Sequence, residues 1–158
     1  MTLLELLENN GALSTKELKA MLSLSEEEIK NKIAEYKKKG VILGTQAIID
    51  WDKTDREYVN ALIEIKVIPQ RDRGFDQIAE KICRYPEVKS VYLMSGGFDI
   101  AVIVEGRTMR EVALFVAEKL ALIESVTATA THFMLRRYKD KGVIYKAPHK
   151  DEREEYGL

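Results

Sequence analysis

Apolar residues recur every three or four positions up to Tyr36 and every second position after Val59, so the chain carries two periods and predicts two kinds of unit. In the first stretch Leu3, Leu6 and Leu7, then Leu18, Met21 and Leu22, then Ile29, Ile33 and Tyr36 each fall on one helical face. Two of these helices carry their own start signal. Ser14 with Glu17, and Ser25 with Glu28, have the spacing of a capping box, in which the hydroxyl accepts from the third backbone N–H and the carboxylate reaches back to the first. Glu26, Glu27 and Glu28 also sit favourably at the positive end of the helix dipole, and Gly40 supplies the stop. Two capped helices joined by a tight turn through Leu22-Ser23-Leu24 read as a helix-turn-helix, whose second helix is normally laid in the DNA major groove.

After Gly44 the pattern changes. Thr45 to Trp51 reads as an extended arm and Asp52 to Glu57 as a polar linker. Val59, Ala61, Ile63, Ile65 and Val67 mark one face of a strand that Pro69 ends. Phe75, Ile78, Ala79 and Ile82 mark a helix stopping before Pro86, with Cys83 expected on its apolar side as core filler. Val88 to Ser95 and Phe98 to Glu105 read as strands joined at Gly96-Gly97. A helix over 109–122 and a strand over 126–135 complete the order β-α-β-β-α-β, the ferredoxin-like split arrangement. Two helices cover one face of such a sheet. The third strand is apolar on both faces (Ile100, Val102 and Val104 against Ala101 and Ile103), which predicts that the other face is buried against a second copy of the chain.

Composition narrows the function classes. With 158 residues, 46% hydrophobic and 32% charged, the chain has room for two small cores. The formal net charge of -1 provides no global positive field for nucleic acid, so any DNA affinity must come from a local patch or from several linked copies. One cysteine makes no internal disulfide. No apolar run approaches the ~18 residues of a membrane span, and the N-terminus lacks a signal-peptide pattern, so a cytoplasmic protein without a membrane partner is expected. No metal pattern joins His132 and His149, no catalytic triad or carboxylate pair stands out, and no cofactor is expected. The charge run Asp151 to Glu155 predicts a solvated tail.

The carriers Leu24-Ser25, Gly40-Val41-Ile42 with Gly44, and Ser95-Gly96 with Phe98-Asp99 make the chain resemble the Lrp/AsnC family of transcriptional regulators over nearly its whole length, Thr2 to about Tyr138. The resemblance implies an α+β protein: an N-terminal helix-turn-helix (winged-helix-like) DNA-binding domain over 1–44, an arm and linker over 45–57, a ferredoxin-like βαββαβ ligand-sensing and dimerisation domain over 58–138, and a C-terminal tail over 139–158. It also implies double-stranded DNA as a partner, dimers assembling into higher oligomers up to octamers, and a small effector, typically an amino acid, bound between dimers. The recognition helix departs from the family pattern by opening on three glutamates, and Gly97 stands where an acidic residue is common.

Within that frame the candidate DNA contacts are Lys30, Asn31, Lys37 and Lys38, which lie off the Ile29/Ile33/Tyr36 face, with Ser14, Thr15 and Lys16 at the start of the preceding helix. The bland alternative for Lys37 and Lys38 is simple compensation of the helix dipole. The candidate effector contacts are the amides at Gly96 and Gly97 for a carboxylate, Asp99 for an ammonium, and the hydroxyls of Thr129 and Thr131. Against them, Gly-Gly also suits a tight turn, and threonine suits any strand. Two other readings remain open: an enzyme similar to siroheme decarboxylases, with His132, Arg136 and Arg137 at a tetrapyrrole pocket, and a sensor without DNA binding.

Overall fold

The computed structural model describes residues 1–68 and 74–145, which fall into two compact units meeting between Ile49 and Asp50. The first contains α1 (Leu3–Asn9), α2 (Thr15–Met21) and α3 (Glu26–Lys38). Each begins with a complete capping box: Thr2 with Glu5, Ser14 with Glu17, and Ser25 with Glu28. Helices this short are marginal alone, so these caps and a shared core hold them together. Leu3, Leu6, Leu18 and Ile29 form the core, with Leu7, Leu13, Leu22, Leu24, Ile33 and Tyr36 around it. At the end of α3, Gly40 takes φ +68, which lets its N–H reach the Lys37 carbonyl and the Val41 N–H reach Tyr36, closing a Schellman motif. Residues 43–50 follow without regular structure, and no wing strand forms there.

The second unit opens with a 3₁₀ turn at Trp51–Lys53 and runs β1 (Val59–Val67), α4 (Asp76–Cys83), β2 (Val88–Leu93), β3 (Ile100–Gly106), α5 (Met109–Phe115), a π-helical turn at Val116–Leu120, and β4 (Val126–Phe133). The sheet is antiparallel with strand order β2-β3-β1-β4, the ferredoxin-like arrangement. Register decides which residues see the helices. Ile63 stands opposite Val102 and Thr131, and Ile65 opposite Ile100 and Thr129. Ala61, Ile63, Ile65, Ile100, Val102 and Val104 are buried beneath Ile78 and Ile82 of α4, Val112 and Phe115 of α5, and Val116 and Leu120 of the π turn. Each such isoleucine contributes roughly 1.5–3 kcal/mol by leaving water. The opposite face carries Leu62, Glu64, Ala101, Ile103, Ala130 and His132, and no helix of the described residues covers it.

Several expectations are corrected. Cys83 is exposed, because it sits one position past Ile82 and about 100° around the helix from it. The strands beside Gly96-Gly97 are shorter than expected: β2 ends at Leu93 and β3 begins at Ile100, so Met94–Asp99 is a longer loop, closed where Met94 N–H donates to the Asp99 carbonyl at 2.8 Å. The segment expected as tail contains a small hairpin, β5 (Lys139–Asp140) with β6 (Val143–Ile144), turned by Lys141 at φ 45 and Gly142 at φ 82. Pro69, His149 and the charge run after Lys150 lie outside the described residues. Among the described residues no helix is long and apolar enough to cross a membrane.

Candidate functional site

At the start of α3 the three glutamates are not equivalent. The Glu28 carboxylate folds back to accept from Ser25 N–H at 2.8 Å and Ser25 Oγ at 2.7 Å, and these bonds hold its pKa below the usual carboxylate range. Glu26 lies 3.9 Å from Lys19 Nζ. Glu27 remains exposed and directed away from the core. These bonds fix where Glu28 points without cancelling its charge, and the opening of α3 remains acidic.

Opposite the Ile29/Ile33/Tyr36 core face, the spacing of α3 aligns Glu27, Asn31, Ala34 and Lys38 along one exposed stripe, with Lys30 and Lys37 on its flank. Lys30, Asn31, Lys37 and Lys38 are all exposed, whereas Lys39 is bound to Glu35 at 2.5 Å, its pKa raised by that bond and charge. On α2, Ser14 is occupied: its Oγ donates to Glu17 Oε2 at 2.6 Å and accepts from Glu17 N–H at 3.3 Å. Thr15 is half-buried and Lys16 exposed. Ala34 joins this stripe and is not among the contacts expected from sequence. A small exposed residue in the middle of the stripe leaves room for a helix to approach a groove, and its position four from Lys30 and Lys38 was the available signal.

The second set of residues surrounds the sheet. Gly96, at φ +131, and Gly97 stand in open space, where a Cβ on either would meet nothing within 4 Å. Asp99 is half-buried, and its Oδ2 accepts from Val67 N–H at 2.9 Å while its own N–H donates to the Ile65 carbonyl at 3.0 Å. One carboxylate oxygen is thus engaged in joining the loop to β1. Thr129 and Thr131 are half-buried on the helix-facing side of β4. Because β1 lies between β3 and β4, these threonines and the Gly96–Asp99 loop stand about two strand spacings apart, ~10 Å, within one chain.

His132, Arg136 and Arg137 are not gathered at one pocket. His132 Nε2 lies 3.3 Å from Glu64 Oε1 on the open sheet face, while Arg136 and Arg137 line a cleft that His132 does not.

A helix-turn-helix unit followed by a ferredoxin-like unit is the arrangement of a class of transcriptional regulators. The sequence profile of the Lrp/AsnC ligand binding domain matches residues 60–144. The HTH-type transcriptional regulator YugG of Bacillus subtilis is 41% identical over 152 residues, spanning 96% of this chain and 92% of YugG. The chain belongs to the Lrp/AsnC family of transcriptional regulators. The proline dehydrogenase transcriptional activator of Rhizobium radiobacter is 23% identical, covering 90% of this chain and 91% of its own. Among solved structures, PH0061 superimposes with a TM-score of 0.76 at 25% identity, over 90% of this chain and 93% of its own. The L-methionine complex of transcriptional regulator NMB0573 from Neisseria meningitidis superimposes with a TM-score of 0.71 at 21% identity, over 87% and 88% respectively.

Proposed function

We propose that this protein works in the cytoplasm as a homo-oligomeric regulator, with residues 1–44 as its DNA-binding head, 45–57 as arm and linker, and 58–138 as its effector-binding and assembly domain. The observation that carries the DNA reading is the outward stripe of α3. Asn31 and Lys38, flanked by Lys30 and Lys37, present amide and cationic groups that suit base edges and phosphates. Lys16, beside the Ser14 cap of α2, adds a phosphate contact. Glu26 is 3.9 Å from Lys19 Nζ, while Glu28 keeps its charge in the capping box and Glu27 stands on the stripe, so the contacts of α3 to DNA fall to the residues from Lys30 onward. Electrophoretic retardation at low salt, with DNA from upstream of the protein's own gene, tests it. No retardation at micromolar oligomer would sink the reading.

The effector reading extends it. Amides at an open Gly96-Gly97 loop suit a carboxylate, and Asp99 keeps one oxygen for an ammonium. Within one chain β1 separates this loop from Thr129 and Thr131, so a ligand either reaches across β1 or takes one set from a second copy, and the second arrangement links occupancy to assembly. NMB0573 holds L-methionine, and an amino acid of that kind is the natural first ligand to try. Thermal shift and analytical ultracentrifugation across the twenty amino acids test it; a set of twenty blanks would leave the loop a plain connection.

A further inference from the structure

The segment between the arm and β1, expected from its polarity to be a linker, is held by bonds among its own residues. Asp50 Oδ2 lies 3.0 Å from Lys53 Nζ, and the Trp51 carbonyl accepts from Thr54 N–H at 3.0 Å and from Thr54 Oγ1 at 2.8 Å. Arg56 N–H donates to Thr54 Oγ1 at 3.3 Å, and Tyr58 Oη lies 3.4 Å from Asp52 Oδ1. These contacts shape residues 50–58 into a collar.

One side chain ties the collar to the sheet. Arg56 Nη2 donates to Glu105 Oε1 on β3, 49 positions away in sequence. The same guanidinium lies 4.3 Å from the centre of the Trp51 ring and 5.9 Å from that of Tyr58. Glu105 stands opposite Asn60 in the β1–β3 ladder, so the anchor is a fixed point of the sheet. A planar guanidinium can donate from its edge to a carboxylate while its face stacks on an indole, and an ammonium cannot. Arg56 is itself partly exposed, so the pair adds little to the stability of the sheet unit. Its effect is on geometry.

The second unit begins at Asp50, and in the chain the helix-turn-helix is joined to it through the arm. Were 45–57 all free, the volume open to the head would grow as roughly the 3/2 power of that length. With the collar held, at most 45–49 can reorient, and the volume shrinks about fourfold. For a regulator gripping one duplex with two heads, this volume sets the effective concentration of the second head and the separation at which both engage.

We propose that Arg56 is a positioning residue for DNA binding: clamped between Trp51 and Glu105, it fixes where the arm leaves the sheet unit, and with it the half-site spacing that two linked heads accept. The proposal rests on the DNA-binding reading above and deepens it, since Arg56 acts through the arm and not by contact with DNA. It is compatible with a second copy packed on the sheet, because Arg56, Trp51 and Glu105 satisfy one another within one chain.

Full-length protein and DNA from upstream of its own gene test it, with a half-turn of about five base pairs inserted at the centre of the footprint. Wild type should lose on the order of tenfold in affinity on insertion, because the half-sites then face opposite sides of the duplex. Arg56→Ala should bind the original duplex about fourfold more weakly and lose much less on insertion, since its heads readjust. Arg56→Lys, which keeps the charge without the stack, should recover only part of the difference. Melting temperature and oligomer mass should not change. A dye on Glu8→Cys in a Cys83→Ser background reads the head without DNA, and its anisotropy decay should show a freer head once Arg56→Ala is added. Three results would each overturn the proposal: an unchanged insertion penalty in Arg56→Ala, an unchanged anisotropy decay, or a lower oligomer mass, which would make the clamp an assembly contact. A wild type that retards no DNA would fail the regulatory reading instead, and the anisotropy comparison would still decide the clamp.

Discussion

Asp99 Oδ2 accepts a 2.9 Å hydrogen bond from the backbone N–H of Val67, so a residue with the look of a ligand contact also ends a central strand. β1 shifts register against β4 between Lys66 and Val67, and the Val67 N–H there finds its partner in this side chain. Removing the acceptor leaves a largely buried donor without one, at a cost of about 1–3 kcal/mol. Asp99→Ala should therefore lower the melting temperature even without ligand, and Asp99→Asn, which keeps a carbonyl oxygen, should recover much of the loss. Equal melting temperatures for wild type and Asp99→Ala would show that the bond contributes nothing. Any test of the effector site should use Asp99→Asn as well as Asp99→Ala, so that a lost ligand response is not mistaken for a damaged strand end.

The helical unit should be acid-sensitive for a traceable reason. Glu5, Glu17 and Glu28 each have a lowered pKa: Glu5 and Glu28 chiefly through the backbone N–H of Thr2 and Ser25, Glu17 chiefly through the Ser14 hydroxyl. A carboxylate whose folded pKa is depressed adds stability that is present above its unfolded pKa and is lost as pH falls through the folded one. The helices should thus weaken as pH drops below the ordinary glutamate value near 4.5. Circular dichroism between neutral and strongly acidic pH reads this, and Glu28→Gln should flatten the dependence. Ser25→Ala, which removes the hydroxyl acceptor for Glu28 N–H, should cost about 1 kcal/mol at neutral pH.

The parts of this protein that were legible in its sequence are those that depend on neighbours along the chain. Ser25 and Glu28 are three positions apart, and the bonds between them follow from that spacing. The same grammar holds at Thr2 and Glu5, also three positions apart. Strand order and the buried face of β1 follow from a period of two and one known topology. The Asp99–Val67 bond spans 32 positions and leaves no local mark. Cys83 follows Ile82 directly, and one residue is enough to turn a helical side chain from the core to the solvent. The β5–β6 hairpin was hidden because Lys141-Gly142 sits in charged sequence and its first residue is not a usual turn former. The clamp of Arg56 on Glu105 spans 49 positions and forms only once β1 and β3 are paired.

Binding to DNA should be steeply salt-dependent and only partly sequence-dependent. Neutralising phosphates releases counterions, so with several heads engaged, affinity should fall about a thousandfold or more between roughly 50 and 200 mM salt. Lys37→Glu/Lys38→Glu should weaken binding to every sequence and flatten the salt slope by about one per lysine lost, because these are charge contacts. Asn31→Ala should instead blur discrimination between sequences, since an amide on the outward stripe can read a base edge. If the double reversal bound as tightly as wild type, α3 would not be the helix that meets DNA.

Leu62 stands opposite Ile103 at the centre of the helix-free sheet face, each only half-buried in the single chain, and Ala101 beside them is 4% exposed. An apolar patch on the middle of a sheet is a poor surface to leave in water, and a second copy of the same face is its simplest cover, because a two-fold contact needs no other partner. Light scattering should then report a dimer or larger at micromolar concentration. Leu62→Glu and Ile103→Glu each place a charge against its own symmetry mate or against apolar surface, which is costly without a partner. Both substitutions leave the helix-covered core of Ile63, Val102 and Phe115 untouched, so the circular dichroism spectrum should be retained while the mass falls toward the monomer. A wild-type monomer would remove the reason for this assembly. A Leu62→Glu/Ile103→Glu double variant with unchanged mass would move the interface to another face.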